Sequence, residues 1–198
     1  MRRIKFVIYP LIIMLFGFSV LSAPQDWQLS QYVKPGISIS FPSDWSLSDG
    51  SDALSQNLAL DRGRNEAKIV VMALRRRMGR QEIERSQPEM TRAILNKLAG
   101  SITQAGGESQ QSPVSALIGG NRASGLRLRT VLDGEPGRVE VYWLVISDRL
   151  VHVILIGSDK ALERAAPAWA MVCGTLQIGE AFMPKGMGRA AVPGEQNR

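Results

Sequence analysis

The chain has 198 residues, a formal net charge of +6 and a single cysteine. This length suits one domain with extensions. One cysteine excludes an internal disulfide, so the domain has to be stabilised by its hydrophobic core, for which the chain is long enough. Arg2, Arg3 and Lys5 carry three of the six net charges, which leaves +3 for the remainder. A charge of that size does not indicate a nucleic-acid partner.

The N-terminus has the three parts of a secretory signal peptide: a basic start, the apolar run from Phe6 to Val20, and the small-residue end Leu21-Ser22-Ala23. Residues 1–23 are therefore predicted to be a signal peptide, cleaved after Ser22 or Ala23, with a periplasmic or secreted mature chain. The alternative is an uncleaved inner-membrane anchor, because the 18 residues from Phe6 to Ala23 are just enough to span a bilayer.

The first part of the mature chain is predicted to form strands. A short strand fits the residues from Trp27 to Val33, and a one-sided strand fits Gly36 to Phe41, where apolar and small polar residues alternate. Pro42 to Trp45 reads as a turn, because proline fixes φ and aspartate bonds its own backbone. A hairpin is predicted from Asn57 to Asp61 and Ala67 to Leu74.

A helix is predicted to begin at Ser86, where Glu89 three residues later completes a capping box and Pro88 fits the first turn. Apolar residues then recur at four-residue steps, at Met90, Ile94, Leu98 and Ile102, with Leu95 and Ala99 beside them. This spacing predicts one apolar stripe that packs on a sheet. Gly106-Gly107 is predicted to end the helix.

A long meander follows. The segment from Glu108 to Ile118 contains Pro113, which favours an edge or bulged strand. Turns are predicted at Gly119-Gly120-Asn121 and from Asp133 to Gly137, with a strand between them. The next stretch, Val139 to Ile156, has two β-branched and aromatic arms around Ser147-Asp148-Arg149, which predicts a hairpin.

This hairpin is predicted to be the centre of the sheet. Every residue from Val141 to Ile146 is apolar or aromatic, so both sides of that strand need cover. Ser158 is predicted to cap a closing helix that runs to Leu176 and is broken at Pro167. The helices do not alternate with the strands, so the fold class is α+β, with helices on both faces of the sheet.

Three segments resemble the PsbP-like superfamily, the α-β-α sandwich proteins of the PsbP, Mog and DcrB type. They are Gly36 to Trp45, Leu117 to Ala123 before the meander, and the end of the proline-containing helix at Gly174-Thr175-Leu176. The resemblance covers roughly Tyr32 to Ile178. It implies a three-layer α-β-α sandwich with a mostly antiparallel central sheet, over residues 24–180. Residues 181–198 are rich in Gly, Pro, Lys and Arg, and this composition predicts a loose tail. The resemblance also implies binding or stabilising of a partner, and no shared catalytic residues.

The residues that could carry chemistry are few. His152, the only histidine, lies between two valines, and Cys173 lies in the apolar closing helix, so both are predicted to be structural. Trp45, Trp143 and Trp169 are predicted to be core or turn anchors. No catalytic residue, metal site or cofactor is predicted.

The arginine cluster Arg75, Arg76, Arg77 and Arg80 is the most distinctive surface feature of the sequence. It could hold an anionic lipid headgroup, a glycan phosphate or an acidic partner. The favoured interpretation is a solvated strand end that protects the sheet edge.

Three functional hypotheses follow. The first is an exported, non-enzymatic module that binds a protein or envelope component, and not nucleic acid. The second is a small hydrolase or transferase that uses His152 with a carboxylate such as Asp44 or Glu108. The third is a membrane-tethered module whose arginines face anionic lipid, and it requires an uncleaved N-terminal segment.

Overall fold

The structure is a computed structural model that describes residues 28–63, 66–104 and 110–179. The predicted signal peptide with its cleavage points and the predicted tail lie outside the described residues, as does Gly106-Gly107, the predicted end of the first helix.

The described residues form ten strands and two helices. In chain order they are β1 (Leu29–Lys34), β2 (Ile37–Pro42), β3 (Ser46–Asp49), β4 (Ser55–Asp61), β5 (Lys68–Leu74), α1 (Arg80–Gln104), β6 (Gln110–Ile118), β7 (Asn121–Leu132), β8 (Glu135–Ile146), β9 (Arg149–Ser158), α2 (Asp159–Thr175) and β10 (Gln177–Ile178).

Seven strands form the main sheet in the order β3-β4-β5-β9-β8-β7-β6, and every neighbouring pair is antiparallel. The α+β class with a mostly antiparallel sheet is therefore confirmed. The predicted central hairpin is β8 and β9, and β9 occupies the middle position of the sheet. Its β-branched residues suit this place, because both of its neighbours are long strands and its side chains are buried on both sides.

A second, three-stranded sheet has the order β1-β2-β10 and was not predicted. Its middle strand β2 was predicted to be one-sided, and this is wrong: Ile37 and Ile39 are buried, and Ser38 is buried as well. Thr175 of α2 bonds both the backbone N–H and the carbonyl of Ser40. Thr175 and β10 thus lie along the edge of β2 that does not pair with β1.

The two sides of the main sheet bury different clusters. On one side, called the α1 side, Ile94, Leu95 and Leu98 of α1 pack on residues of β7, β8 and β9. The sheet residues in that cluster are Leu128, Val139, Val141 and Ile154, with Val70, Met72 and Ile156 beside them. On the other side, called the α2 side, α2 and β2 pack on the sheet in a larger cluster. The predicted apolar stripe of α1 is confirmed for these three residues.

Helix α1 begins at Arg80, so the predicted start at Ser86 is wrong. The backbone N–H groups of Glu82 and Ile83 both donate to the carbonyl of Gly79, at 3.0 Å, and close the first turn six residues earlier. Pro88 consequently lies inside the helix and leaves one helical hydrogen bond unmade. A capping box is worth only about 1 kcal/mol, which additional turns of helix outweigh.

Helix α2 begins as predicted, because the side chain of Ser158 accepts a hydrogen bond from the backbone N–H of Ala161 at 3.3 Å. The predicted break at Pro167 is wrong, since the helix continues to Thr175. The residues on both sides of the proline, Ala165 and Ala168, are buried against the sheet, so packing holds the helix together there.

Two-residue loops join β6 to β7, β7 to β8 and β8 to β9. Both central residues of each loop have positive φ, which is what a type I′ turn requires. The loops are Gly119-Gly120, Asp133-Gly134 and Ser147-Asp148. The third loop has no glycine, so two L residues occupy a backbone conformation that costs energy.

Replacing Asp148 by glycine is expected to raise the free energy of unfolding by about 0.5–1 kcal/mol, because glycine relieves the positive φ of 59°. The backbone carbonyl of Asp148 still accepts the hydrogen bond from Met78. Urea denaturation of the two proteins measures the change. Gly134→Asp is the matched reverse substitution and is expected to lose a similar amount. An Asp148→Gly protein no more stable than the parent contradicts this account of the turn.

Candidate functional site

Among the described residues, α1 leaves β6 and the neighbouring end of β7 uncovered on the α1 side of the main sheet. On β6 the residues that face this side, Gln111, Pro113, Ser115 and Leu117, are all exposed, whereas the residues between them are partly buried. On β7 the exposed residues of this side are Arg122 and Ser124. We call this surface, together with Trp143 and Val145 of β8, the open sheet face.

Two apolar side chains of the open sheet face are exposed to solvent. Leu117 is 70% exposed and Val145 is 42% exposed. The prediction that the run from Val141 to Ile146 is covered on both sides is therefore wrong at Val145. Val141 is fully buried because it lies under α1, whereas Val145 lies four residues further along β8.

The tryptophans lie in three different environments. Trp45 is buried in the core, and its backbone N–H bonds Pro42 in the predicted turn. Trp169 is partly buried against the core and stacks on Tyr142, with ring centroids 5.5 Å apart. Trp143 is only partly buried and pairs across the strands with Ser124 of the open sheet face. It is an aromatic side chain at the border of an accessible apolar surface, the type of residue that anchors protein interfaces.

The outer edge of this surface is β6, an edge strand as Pro113 predicted. Because the two-residue Gly119-Gly120 loop makes Ile118 and Asn121 a hydrogen-bonded pair, alternate residues of β6 turn their backbone groups away from β7. Pro113 is one of these outward positions. Its missing N–H costs no bond to β7 and removes a donor that an added strand would need.

The predicted arginine cluster lies in the connection from β5 to α1 and is exposed. Arg75 donates to the backbone carbonyl of Asp52 at 2.7 Å, Arg76 is paired with Glu82, and Arg80 is 3.0 Å from Glu84. Arg77 also has an interaction partner. The structure thus disperses the cluster over several local contacts and does not converge it on one point.

Arg80 of the arginine cluster lines a cavity together with Val145 of the open sheet face. The cavity, of about 400 Å³, lies between the first turn of α1 and the end of β8 and is lined by Met78, Arg80, Ile83, Glu84, Val145 and Asp148. Val145 belongs to both surfaces, so this cavity extends the apolar region under the start of α1.

His152 is 1% exposed and lies beneath α1. Its Nε2 atom is 3.1 Å from the hydroxyl of Thr91, which is itself 3.1 Å from the amide nitrogen of Gln87. Burial lowers the pKa of His152 to about 4, so the imidazole is neutral at pH 7. In the described part of the chain no carboxylate bonds this ring. Asp44 pairs instead with Arg62 at 3.2 Å, and Glu108 lies outside the described residues.

Cys173 is buried in α2, and burial raises the pKa of its thiol to about 12. A thiol of that pKa is protonated at neutral pH and is a poor nucleophile.

The α2 side contains a buried carboxylate that sequence reasoning missed. Glu140 is 4% exposed and accepts hydrogen bonds from Arg127 at 2.7 Å, Arg138 at 3.0 Å and the hydroxyl of Tyr142 at 2.7 Å. Burial alone would raise the pKa of Glu140, but these donors outweigh it and hold the pKa below its usual value. Arg138 also reaches Asp159 at 2.7 Å. The network joins β7, β8 and the start of α2.

A cleft of about 570 Å³ lies at the start of α2 beside two hairpin ends. Charged side chains of both signs line it, and they pair loosely: Lys68–Asp61 at 3.7 Å, Lys160–Glu135 at 3.9 Å and Arg164–Glu66 at 3.5 Å. Exposed pairs of this kind contribute little to stability.

Within residues 28–63, 66–104 and 110–179, no three His, Cys, Asp or Glu side chains are close enough together to hold a metal ion. The helices of the described part are too short or too polar to cross a bilayer.

No protein-family model matches this sequence, and no curated protein sequence matches it. Among solved structures the chain is similar to cyanobacterial PsbP (CyanoP) from Synechocystis sp. PCC 6803, with 10% identity, a TM-score of 0.49, and coverage of 82% of this chain and 99% of that one. PsbP is one of the proteins of the superfamily that the three sequence segments resemble.

The chain is also similar to two further solved structures. LpqN of Mycobacterium tuberculosis, described as involved in cell envelope biogenesis, has 15% identity and a TM-score of 0.42, over 77% of this chain and 91% of that one. A Bacteroides thetaiotaomicron protein has 14% identity and a TM-score of 0.48, over 76% of this chain and 48% of that one, so the chain spans about half of its length.

Proposed function

We propose that this chain is an exported, non-enzymatic domain with the three-layer PsbP-like arrangement, and that it binds a protein of the cell envelope through the open sheet face. The observation that supports the proposal is the exposure of Leu117 and Val145 beside the partly buried Trp143. Apolar and aromatic side chains grouped on one surface are typical of protein interfaces. The signal-peptide pattern of residues 1–23 supports export.

The alternative hypotheses receive less support. The hydrolase needs His152 bonded to a carboxylate, and its bonding partner is Thr91. The membrane-tethered module needs arginines available for lipid, whereas Arg76 and Arg80 pair with acidic residues of α1.

The proposal is tested with a charged substitution on the open sheet face. Leu117→Asp is expected to reduce the amount of a cross-linked envelope complex at least tenfold. Binding then loses the apolar contact of Leu117 and has to desolvate a carboxylate, which also occupies Arg122 on the neighbouring strand. Chemical cross-linking of intact cells followed by quantitative immunoblotting measures this. The copy of this chain within the complex is expected to have the mass of a chain that lacks residues 1–22 or 1–23.

Leu29→Asp is the matched control, since Leu29 is 65% exposed but lies on β1 of the small sheet. It is expected to leave the complex unchanged. Equal loss in both variants, or no loss with Leu117→Asp, refutes binding through this face.

A further inference from the structure

We propose that the partner presents an amphipathic α-helix, which lies on β6 and β7 beside α1 and places a carboxylate against Arg122. This inference rests on the proposed function, because it specifies the chemistry of the segment that occupies the open sheet face.

The dimensions of the open sheet face match a helix. Neighbouring strands are about 4.8 Å apart, so β6 and β7 span about 10 Å, which is close to the 8–10 Å between the axes of packed helices. From Gln111 to Leu117 the strand advances six residues, or about 20 Å, which equals the length of about 13 residues of α-helix. Helix α1 forms the wall of this strip, since it packs on the neighbouring part of the same side.

The sheet edge disfavours the other common mode of binding, in which a partner adds a strand. The outward backbone positions of β6 include Pro113, which has no N–H to donate. An added strand would therefore lose one ladder bond in the middle of the edge. A helix that binds the face of the sheet needs none of these backbone groups.

The charge of the strip specifies the polar part of the partner. Arg122 is exposed and faces the same side as Leu117, its cross-strand partner. Within the described residues it makes no hydrogen bond or ion pair. Covering an unpaired guanidinium with apolar side chains is costly, whereas a carboxylate that bonds it removes that cost. We therefore expect an Asp or Glu on the apolar side of the partner helix.

A second copy of this chain does not supply the carboxylate that Arg122 needs when two open sheet faces meet across a two-fold axis. Such an arrangement places Arg122 of each copy on the same surface without an acidic partner within it, since the other polar residues of the strip are Gln111, Ser115 and Ser124. The charge of the face thus favours a different protein.

The experiment places a photoreactive benzophenone amino acid at Ser115 in the full chain, in cells of the source organism, and analyses the cross-linked peptide by mass spectrometry. The expected peptide has apolar residues at intervals of three or four and contains Asp or Glu. The same probe at Ala93, on the exposed side of α1, is the control and is expected to capture no such peptide.

Arg122→Glu is expected to reduce the yield at Ser115 at least tenfold, and replacing the partner's carboxylate by arginine is expected to restore it. A proline placed in the middle of the partner segment is expected to abolish capture. Capture of a partner protein through a segment without helical spacing or acidic residues overturns this inference and leaves the proposed function intact. A lipid adduct, a cross-link within this chain or to a second copy, or no cross-link at all overturns both.

Discussion

Glu140→Ala is expected to lower the free energy of unfolding by about 3 kcal/mol, because it removes one partner from a buried ionic network. The carboxylate accepts three hydrogen bonds, from Arg127, Arg138 and Tyr142. Without it, the hydroxyl of Tyr142 remains buried and unpaired, and Arg138, whose side chain is 23% exposed, keeps only Asp159. Urea denaturation at pH 7 measures the loss.

Glu135→Ala is the matched control for this prediction. Glu135 is an acid of the same strand, its side chain is 53% exposed, and it lies 3.9 Å from Lys160. An exposed pair of this kind is expected to contribute less than about 1 kcal/mol. If Glu140→Ala is no more destabilising than Glu135→Ala, then the network does not stabilise the junction between the sheet and α2.

Acid is expected to destabilise the protein through His152. Its pKa is about 4 in the folded chain and about 6.5 in an unfolded one, so between these values only the unfolded state binds the proton. The stabilising contribution is complete above pH 6.5 and is lost as the pH falls to 4, by about 3 kcal/mol in total. Denaturation curves recorded from pH 7.5 to pH 4 measure the dependence.

His152→Gln separates this effect from the titration of carboxylates. Glutamine retains a group that can bond Thr91 but takes up no proton in this range. The variant is expected to be less stable than the parent at pH 7.5 and to lose less stability on acidification. Parallel curves for the two proteins would show that His152 is not the group that titrates.

Local sequence signals predicted the hairpins well. Turns were predicted at Gly119-Gly120-Asn121, from Asp133 to Gly137 and at Ser147-Asp148-Arg149, because small and polar residues interrupt runs of β-branched residues. Each contains the two-residue loop of the structure, but the strands resume earlier than predicted, at Asn121, Glu135 and Arg149. Ser158 was recognised as a helix cap for a similar reason. These signals act over a few residues and depend little on the rest of the chain.

Signals that compete with packing were less informative. Ser86, Pro88 and Glu89 indicated a helix start, yet α1 begins at Arg80, because capping and proline effects of a few kcal/mol yield to additional helical bonds and burial. Strand β10 has two residues, too few for any periodicity, so the small sheet escaped prediction. Glu140 was missed because one charged residue in a strand does not reveal that two arginines and a tyrosine converge on it.

The candidate site likewise combines features that local sequence signals reveal with features that depend on packing. The sequence singled out Arg75, Arg76, Arg77 and Arg80 because they are adjacent in the chain, and their role as an anion site stays a prediction. The open sheet face is assembled from alternate residues of the three consecutive strands β6, β7 and β8, and its residues are individually unremarkable. Its clearest sequence signal was the apolar run from Val141 to Ile146, which was interpreted as a strand covered on both sides.

The sequence by itself determined the class of the fold, the order of its meander and the central place of β8 and β9, since alternation, turn residues and β-branched runs are local properties. Only the tertiary structure decided which apolar residues remain accessible. Seven strands span about 30 Å, and a single helix about 10 Å wide covers only part of that width. The α2 side adds the small sheet to its helix, whereas on the α1 side the described residues supply α1 alone, and Leu117 and Val145 remain exposed.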